Sequence, residues 1–181
     1  MTDAAAATRL PVEKIAPDTI RLERTLDAPV EKVWRYLTEA ELRAEWFMGG
    51  SDAAPDAEFE LVTDHDNLSS DDVPYPESHE CYRGMVWKEK VIRFEPPRLL
   101  ETTFQGGKNG HVTYELFDEG ERTRLVLTHT GIVSGTGAHD FGGGWHSHLS
   151  VLQEKLAGRE VRNFWALYER SRDEVAKALA Q

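Results

Sequence analysis

The sequence predicts an α+β fold in which a curved antiparallel sheet wraps around a long C-terminal helix. Three features lead to this expectation: an early strand followed by two short helical segments, a later run of strand-like segments separated by short turns, and a helical apolar face near the C-terminus. Short turns between consecutive strands imply an antiparallel meander, and such a sheet can curl over a helix. The 181 residues fit one domain of ordinary size.

The chain begins with a segment that we expect to stay outside the fold. Residues 1–17 are rich in alanine and interrupted by proline, which predicts a flexible N-terminal arm. Apolar and polar residues then nearly alternate from Thr19 to Leu26, the period of a half-buried first strand. Pro29 suits the first turn of a helix, and apolar residues follow it at the spacing of one helix face. The folded domain is therefore expected to span residues 18–158.

A second short helix and an acidic loop are expected next. Thr38 and Glu41 have the spacing of a capping box, which predicts the start of a second helix in a new direction. From Glu58 the apolar period changes to two, as is typical of a strand. Residues 64–78 hold many acidic and proline residues and few apolar ones. We expect a loop there, because this composition offers little surface to bury.

Four more strands and the long helix are predicted after the acidic loop. β-Branched and aromatic residues are concentrated in residues 82–94, 99–104, 111–117 and 123–130. Six glycines in residues 131–144 predict a flexible connection into the long helix. The apolar face of that helix continues towards Gly158, which is placed to end it.

The last segment, residues 159–181, has the pattern of an additional C-terminal helix. Phe164, Trp165 and Tyr168 would form an apolar patch of a size that proteins rarely leave in water. We therefore expect this helix either to fold back on its own domain or to pair with a second copy of the chain. The second alternative makes a homodimer possible.

Composition and charge exclude several classes of partner. Lys and Arg number 21 against 32 Asp and Glu, so the net charge of −11 disfavours nucleic acid and anionic membrane surfaces. No stretch reaches the roughly 18 apolar residues of a membrane-spanning helix, which argues against membrane insertion. The N-terminus lacks the pattern of a secretory signal, so we expect a cytoplasmic protein. The single cysteine, Cys81, has no partner for an internal disulfide.

Four motifs stand in order within residues 19–158. The first motif is ERTLDAPVEKVW at residues 23–34, which a Trp-Phe pair follows. The other three motifs are FEPPRLL at residues 94–100, GERTRLVLTH at residues 120–129 and GWHSHL at residues 144–149. Together they resemble the bacterial homologues of the activator of the ninety-kilodalton heat-shock chaperone ATPase. The acidic loop and the last segment depart from the family pattern.

This resemblance implies a helix-grip fold of the START-like SRPBCC superfamily, which also includes lipid-transfer domains, polyketide cyclases and the Bet v plant allergens. Its members hold apolar molecules between the sheet and the long helix, whereas their catalytic residues differ and do not transfer. The family name also suggests regulation of a chaperone ATPase. In the eukaryotic co-chaperone the resembling domain works with a separate N-terminal domain, and nothing in this chain resembles that second domain.

The candidate ligand-binding residues are side chains that either line a cavity or fill the core. They are Trp46, Phe47, Met85, Trp87, Phe104, Tyr114, His129, Trp145, His148, Leu149 and Leu152. His129 at a strand end and His148 on the helix could each reach a cavity or be hydrogen-bonded at the margin of the core. None of the seven histidines stands in a metal-binding motif, so neither a metal nor a cofactor is expected.

Three classes of function remain open at this point. The leading hypothesis is non-catalytic binding of an apolar or amphipathic small molecule between the sheet and the long helix. An enzyme of the cyclase, hydrolase or isomerase type is the alternative, in which His129 or His148 would act with a partner such as Tyr114. Chaperone regulation is the third. Catalytic residues cannot be assigned from the sequence.

Overall fold

The computed structural model describes residues 10–133 and 137–180, in which eight antiparallel strands form one curved sheet. The strands are β1 (Glu13–Ala16), β2 (Thr19–Leu26), β3 (Gly49–Gly50), β4 (Glu58–Val62), β5 (Val86–Glu95), β6 (Leu99–Thr103), β7 (His111–Asp118) and β8 (Thr123–Thr130). Across the sheet their order is β1-β2-β8-β7-β6-β5-β4-β3. The expected meander is confirmed, since β5 to β8 pair consecutively.

Five helices are present in the described residues, together with a single 3-10 turn at Asp66–Leu68. They are α1 (Val30–Thr38), α2 (Ala40–Arg43), α3 (Glu77–Glu80), α4 (Gly137–Leu156) and α5 (Phe164–Leu179). The long helix α4 packs on β2 and buries Leu149 and Leu152 completely. This is the predicted helix-grip arrangement. None of the described helices combines the length and the apolar character needed to cross a membrane.

The beginning of the sheet differs from the expected flexible arm. Residues 1–9 of that arm lie outside the described part of the chain. The remainder contains β1, an additional strand that pairs with β2, and Val12 beside it is only 1% exposed. Because alanine and proline dominate the composition of the arm, this short edge strand gives no alternating pattern in the sequence.

The predicted capping box is wrong, although the second helix is present. The hydroxyl of Thr38 donates to the carbonyl of Trp34, 2.9 Å away, and so continues α1 instead of capping α2. The N–H of Ala40 at the start of α2 has no acceptor within the helix, and it donates to Oδ1 of Asp52 at 2.7 Å. A distant carboxylate thus satisfies the helix N-terminus, which spacing along the chain could not reveal.

The expected flexible glycine connection is also wrong in its second half. Residues 134–136 lie outside the described part of the chain, but Gly142 and Gly143 are inside α4. A Cβ on Gly143 would lie 2.8 Å from Cγ of Arg172, and one on Gly142 would lie 3.0 Å from Cγ1 of Val175. These glycines therefore let α5 approach α4 closely. In the sequence, glycines with this packing role look the same as the glycines of a flexible loop.

The last segment folds back on its own chain, one of the two expected arrangements. After α4, the N–H of Arg159 donates to the carbonyl of Glu154 at 2.8 Å and Gly158 has a φ of +74°, so the helix ends there as predicted. Helix α5 then packs against α4 and β1. Its Phe164 is 1% exposed and its Val175 is fully buried.

The acidic loop is more ordered than its composition predicts, because the last segment holds it. The N–H groups of Ser70 and Asp71 donate to the carbonyls of Val161 and Arg162 at 2.9 and 3.1 Å. The hydroxyl of Ser69 accepts the N–H of Phe164 at 2.8 Å. Two segments that depart from the family pattern are therefore joined to each other by hydrogen bonds.

Candidate functional site

A cavity of about 540 Å³ lies where the N-terminal half of α4, the start of α5, the acidic loop and the sheet meet. Most of its wall is aromatic. The lining rings are Phe47, Tyr75, Tyr82, Trp87, Phe104, Phe141, Trp145, Phe164, Trp165 and Tyr168, joined by the imidazoles of His65, His79 and His148. Tyr82 is 50% exposed and marks the solvent side. This volume lies within the usual range for small-molecule sites.

His148 on α4 is one of three buried polar residues of the cavity wall, with Thr63 and His65. Its Nδ1 lies 2.8 Å from the carbonyl oxygen of Trp46, and a carbonyl can only accept, so Nδ1 carries the proton and donates. Nε2 is then an acceptor; it makes no hydrogen bond to residues 10–133 and 137–180, and it is not among the fully buried side-chain atoms. Burial lowers the pKa of His148 to about 3, which keeps the ring neutral near pH 7.

His65 packs beside His148 and comes from the acidic loop. The two imidazole centroids are 5.1 Å apart, and His65 also stacks on Phe164 at 5.3 Å with an interplanar angle of 8°. Nδ1 of His65 is 2.9 Å from the hydroxyl of Tyr75. Burial lowers the pKa of His65 to about 4 and raises that of Tyr75 to about 12. Both groups are therefore neutral at pH 7.

His79 on α3 forms the outer part of the same wall. Its ring contacts Trp165 at 4.9 Å and Tyr168 at 5.2 Å, and its Nδ1 is 2.9 Å from the hydroxyl of Ser78. Partial burial lowers its pKa. The three cavity histidines thus behave as aromatic, hydrogen-bonding rings and add no fixed positive charge.

The charged side chains among the described lining residues are Asp140 and Arg172. Nη2 of Arg172 lies 3.5 Å from Oδ1 of Asp140, so these two opposite charges form an ion pair at one edge of the cavity. Nε of Arg172 is buried and has no hydrogen-bond partner in the described structure. With this pair balanced and the imidazoles neutral, the wall has no net charge to offer an ionic ligand.

Five of the eleven residues proposed from the sequence line this cavity: Phe47, Trp87, Phe104, Trp145 and His148. Trp46, Leu149 and Leu152 are fully buried in the core behind the wall, and Tyr114 is also buried there. Met85 lies at the surface with 36% exposure. Whether the five lining residues contact a ligand remains a prediction.

His129 is held in the core, fully buried, and does not line the cavity. Its Nε2 donates to the carbonyl of Asn109 at 2.7 Å, and its Nδ1 accepts from Nε1 of Trp145 at 3.1 Å. Burial lowers its pKa to about 4. Since both ring nitrogens are used, His129 positions the Trp145 ring and has no lone pair free for a ligand.

Gly144 leaves an opening in the cavity wall. It lines the cavity, and a Cβ built on it would meet no atom within 4 Å, in contrast to its neighbours Gly142 and Gly143. A larger side chain at this position would therefore project into free space. The three consecutive glycines have two separate roles, helix packing and cavity volume.

Sequence reasoning missed the wall that comes from the acidic loop and from α5. The missed rings are His65, Tyr75, His79, Tyr82, Phe141, Phe164, Trp165 and Tyr168. The apolar patch of α5 was the available signal, because its size predicted that another part of the protein must pack on Phe164, Trp165 and Tyr168. No local pattern in the sequence indicates that the acidic loop packs there. The described residues contain no group of three or more His, Cys, Asp or Glu placed to hold a metal ion.

Comparisons with known structures agree with this architecture. The chain is 37% identical to a Bordetella parapertussis protein known from a solution NMR structure, with a TM-score of 0.74 and coverage of 91% of this chain and 87% of that chain. CalU16 from Micromonospora echinospora is 22% identical, with a TM-score of 0.63 and coverage of 90% and 89%. An Enterococcus faecalis protein of unknown function is 16% identical, with a TM-score of 0.62 and coverage of 91% and 90%. The last two show the shared fold.

A comparison with curated proteins finds no match. The family model described as "Activator of Hsp90 ATPase homolog 1-like protein" matches residues 27–157, which covers the strands and helices from α1 to the end of α4. The match agrees with the four motifs in the sequence and with the helix-grip arrangement of sheet and long helix. The chain therefore belongs to the family of Activator of Hsp90 ATPase homolog 1-like proteins.

Proposed function

We propose that this protein binds an apolar, mainly aromatic small molecule in the cavity between α4, α5 and the sheet, without converting it chemically. The observation that carries the proposal is the wall itself, in which aromatic rings and neutral imidazoles surround about 540 Å³. Each Å² of apolar ligand surface that leaves water for such a wall contributes roughly 25 cal/mol. Ring-to-ring contacts with the ligand add to this stabilisation.

The geometry supports binding better than catalysis. The alternative hypothesis needs His129 or His148 to exchange protons with a partner such as Tyr114. His129 has both nitrogens engaged, and burial raises the pKa of Tyr114 above its ordinary value while keeping that ring behind Trp145. His148 has a pKa of about 3, so it is a weak base at neutral pH.

A fluorescent probe without hydrogen-bond donors tests the proposal. Prodan is neutral and contains a naphthalene ring, and we expect saturable binding with a blue shift of its emission. Gly144→Leu should weaken prodan binding at least about tenfold, because the new side chain enters the free space beside Gly144. Leucine also favours a helix over glycine by up to about 1 kcal/mol, so lost binding would not reflect unfolding.

The matched control is Lys155→Leu, which adds the same side chain to α4 away from the cavity. It should bind prodan as the wild-type protein does. Two results would contradict the proposal: no saturable prodan binding by the wild-type protein, or wild-type affinity in a folded Gly144→Leu variant.

A further inference from the structure

We infer that the ligand of this cavity is a neutral aromatic molecule that carries a hydroxyl group, and that this hydroxyl donates a hydrogen bond to Nε2 of His148. This inference rests on the proposed function and adds the chemical class of the ligand to it. It follows from how the protein fixes the tautomer of one buried ring.

The carbonyl of Trp46 determines the tautomer of His148. That oxygen lies 2.8 Å from Nδ1 and can only accept, so the proton of a neutral ring is on Nδ1 and the lone pair is on Nε2. Packing then fixes the orientation of the ring. Phe47 contacts it edge-on at 5.0 Å, Phe164 at 5.0 Å and His65 at 5.1 Å. His148 as a whole is 6% exposed, while its unbonded Nε2 keeps some contact with solvent.

An acceptor without a protein partner selects between ligands that are otherwise alike. A purely apolar ligand would cover Nε2 without giving it a donor, and the lost hydration of that nitrogen would oppose binding. A ligand hydroxyl restores the hydrogen bond. The other nearby imidazole, His65, has its Nδ1 2.9 Å from the hydroxyl of Tyr75, and that oxygen can either donate or accept, so the tautomer of His65 is not fixed in the same way. His148 is therefore the imidazole of the wall whose unbonded nitrogen is held as an acceptor.

The charge balance of the wall excludes ionic versions of the same ligand. The lone pairs of a ligand carboxylate would be repelled by the lone pair of Nε2. The Arg172 guanidinium at the edge of the cavity is already paired with Asp140. A buried ammonium ligand would need a carboxylate partner, but Asp140 is already paired with Arg172. A neutral hydroxyl on an aromatic ring satisfies both the ring-lined wall and the acceptor.

Matched naphthalenes test this inference in the full-length protein. 2-Naphthol carries the donor, whereas 2-methoxynaphthalene keeps the ring and the oxygen but cannot donate. Calorimetric titration should show roughly 3- to 10-fold tighter binding of 2-naphthol, the range for one net hydrogen bond. In His148→Asn, the side-chain amide can still donate to the carbonyl of Trp46 but places no acceptor where Nε2 was. The ratio of the two dissociation constants should therefore fall at least about threefold in this variant.

The possible outcomes separate this inference from the proposed function. Equal wild-type affinities for the two naphthalenes, or an unchanged ratio in folded His148→Asn, would overturn the inference while prodan binding still supported a cavity. Failure of prodan and of both naphthalenes to bind would overturn both proposals. Circular dichroism checks that the variant is folded.

A second measurement does not depend on the variant. In protein with ¹⁵N-labelled histidine, the Nε2 resonance of His148 should be that of an unprotonated nitrogen. It should shift when 2-naphthol is added and move less with 2-methoxynaphthalene. A protonated Nε2 in the free protein, or equal shifts with the two compounds, would contradict the inference.

Discussion

At the scale of single residues, the protein keeps three imidazoles neutral by burying them among rings. His65, His129 and His148 each use one or both nitrogens in a hydrogen bond to a backbone carbonyl or a neighbouring side chain. Burial disfavours the charged form of each ring, and their pKa values fall from 6.5 to about 4, 4 and 3. The burial of these three rings therefore makes the fold sensitive to acid.

The direction of this pH dependence follows from the lowered pKa values. The unfolded chain binds protons on these rings below about pH 6.5, whereas the folded chain does not until about pH 4. Stability is therefore fully present above pH 6.5 and is lost as the pH falls towards 4. At pH 5 each ring should destabilise the fold by about 2 kcal/mol relative to pH 7. Urea unfolding at the two pH values measures this loss.

His65→Phe isolates one of these contributions. Phenylalanine keeps the stacking on Phe164 and removes the titrating group, so the loss between pH 7 and pH 5 should be smaller by about 2 kcal/mol. Above pH 7.5 the difference in stability between the variant and the wild-type protein should be constant. An identical loss in the two proteins between pH 7 and pH 5 would show that His65 titrates normally in the folded state.

The sequence indicates some of these residues and conceals others for a physical reason. Trp145 and His148 share a face of one strongly patterned helix, so their approach to the sheet could be predicted. His65 lies in a segment whose acidic composition predicts a loop, and its burial depends on Phe164, about a hundred positions away. Such long-range contacts leave no periodic signal. The same limit explains why Asp52, the partner of the α2 N-terminus, was missed.

At the scale of elements, α5 forms part of the cavity wall and belongs to the fold of the domain. It lies against the glycine face of α4, and the acidic loop is hydrogen-bonded to the segment that leads into it. Its N-terminus is capped by Asn163, whose side chain accepts the N–H of Ala166 at 2.9 Å. A helix from outside the family match at residues 27–157 therefore provides rings to the cavity of this chain.

Truncating one ring of α5 should affect stability and binding together. Phe164 is 1% exposed and contacts both His65 and His148, so Phe164→Ala should cost about 3–5 kcal/mol of unfolding free energy and weaken prodan binding. The exposed Arg170 on the same helix offers a matched control, because Arg170→Ala should change stability by less than about 0.5 kcal/mol. A loss below about 1 kcal/mol for Phe164→Ala, measured by urea unfolding, would show that α5 is loosely attached.

At the scale of the whole molecule, the sequence predicts the architecture well and the cavity only in part. Period-two segments and short turns define the meander, and the apolar face ending at Gly158 defines the long helix; each is a local pattern. The edge strand β1 and the close approach of α5 to α4 depend on contacts between distant segments. The glycines that permit this approach are indistinguishable from loop glycines until the opposing helix is known.

We propose that the ligand occupies the space between α4, α5 and the sheet. Solution NMR with prodan tests this placement through nuclear Overhauser effects between probe protons and assigned side chains. We expect contacts from prodan to Phe47, Trp145 and Phe164, which come from three separate parts of the wall. Contacts confined to the outer surface of the sheet, or none in a saturated sample, would contradict it.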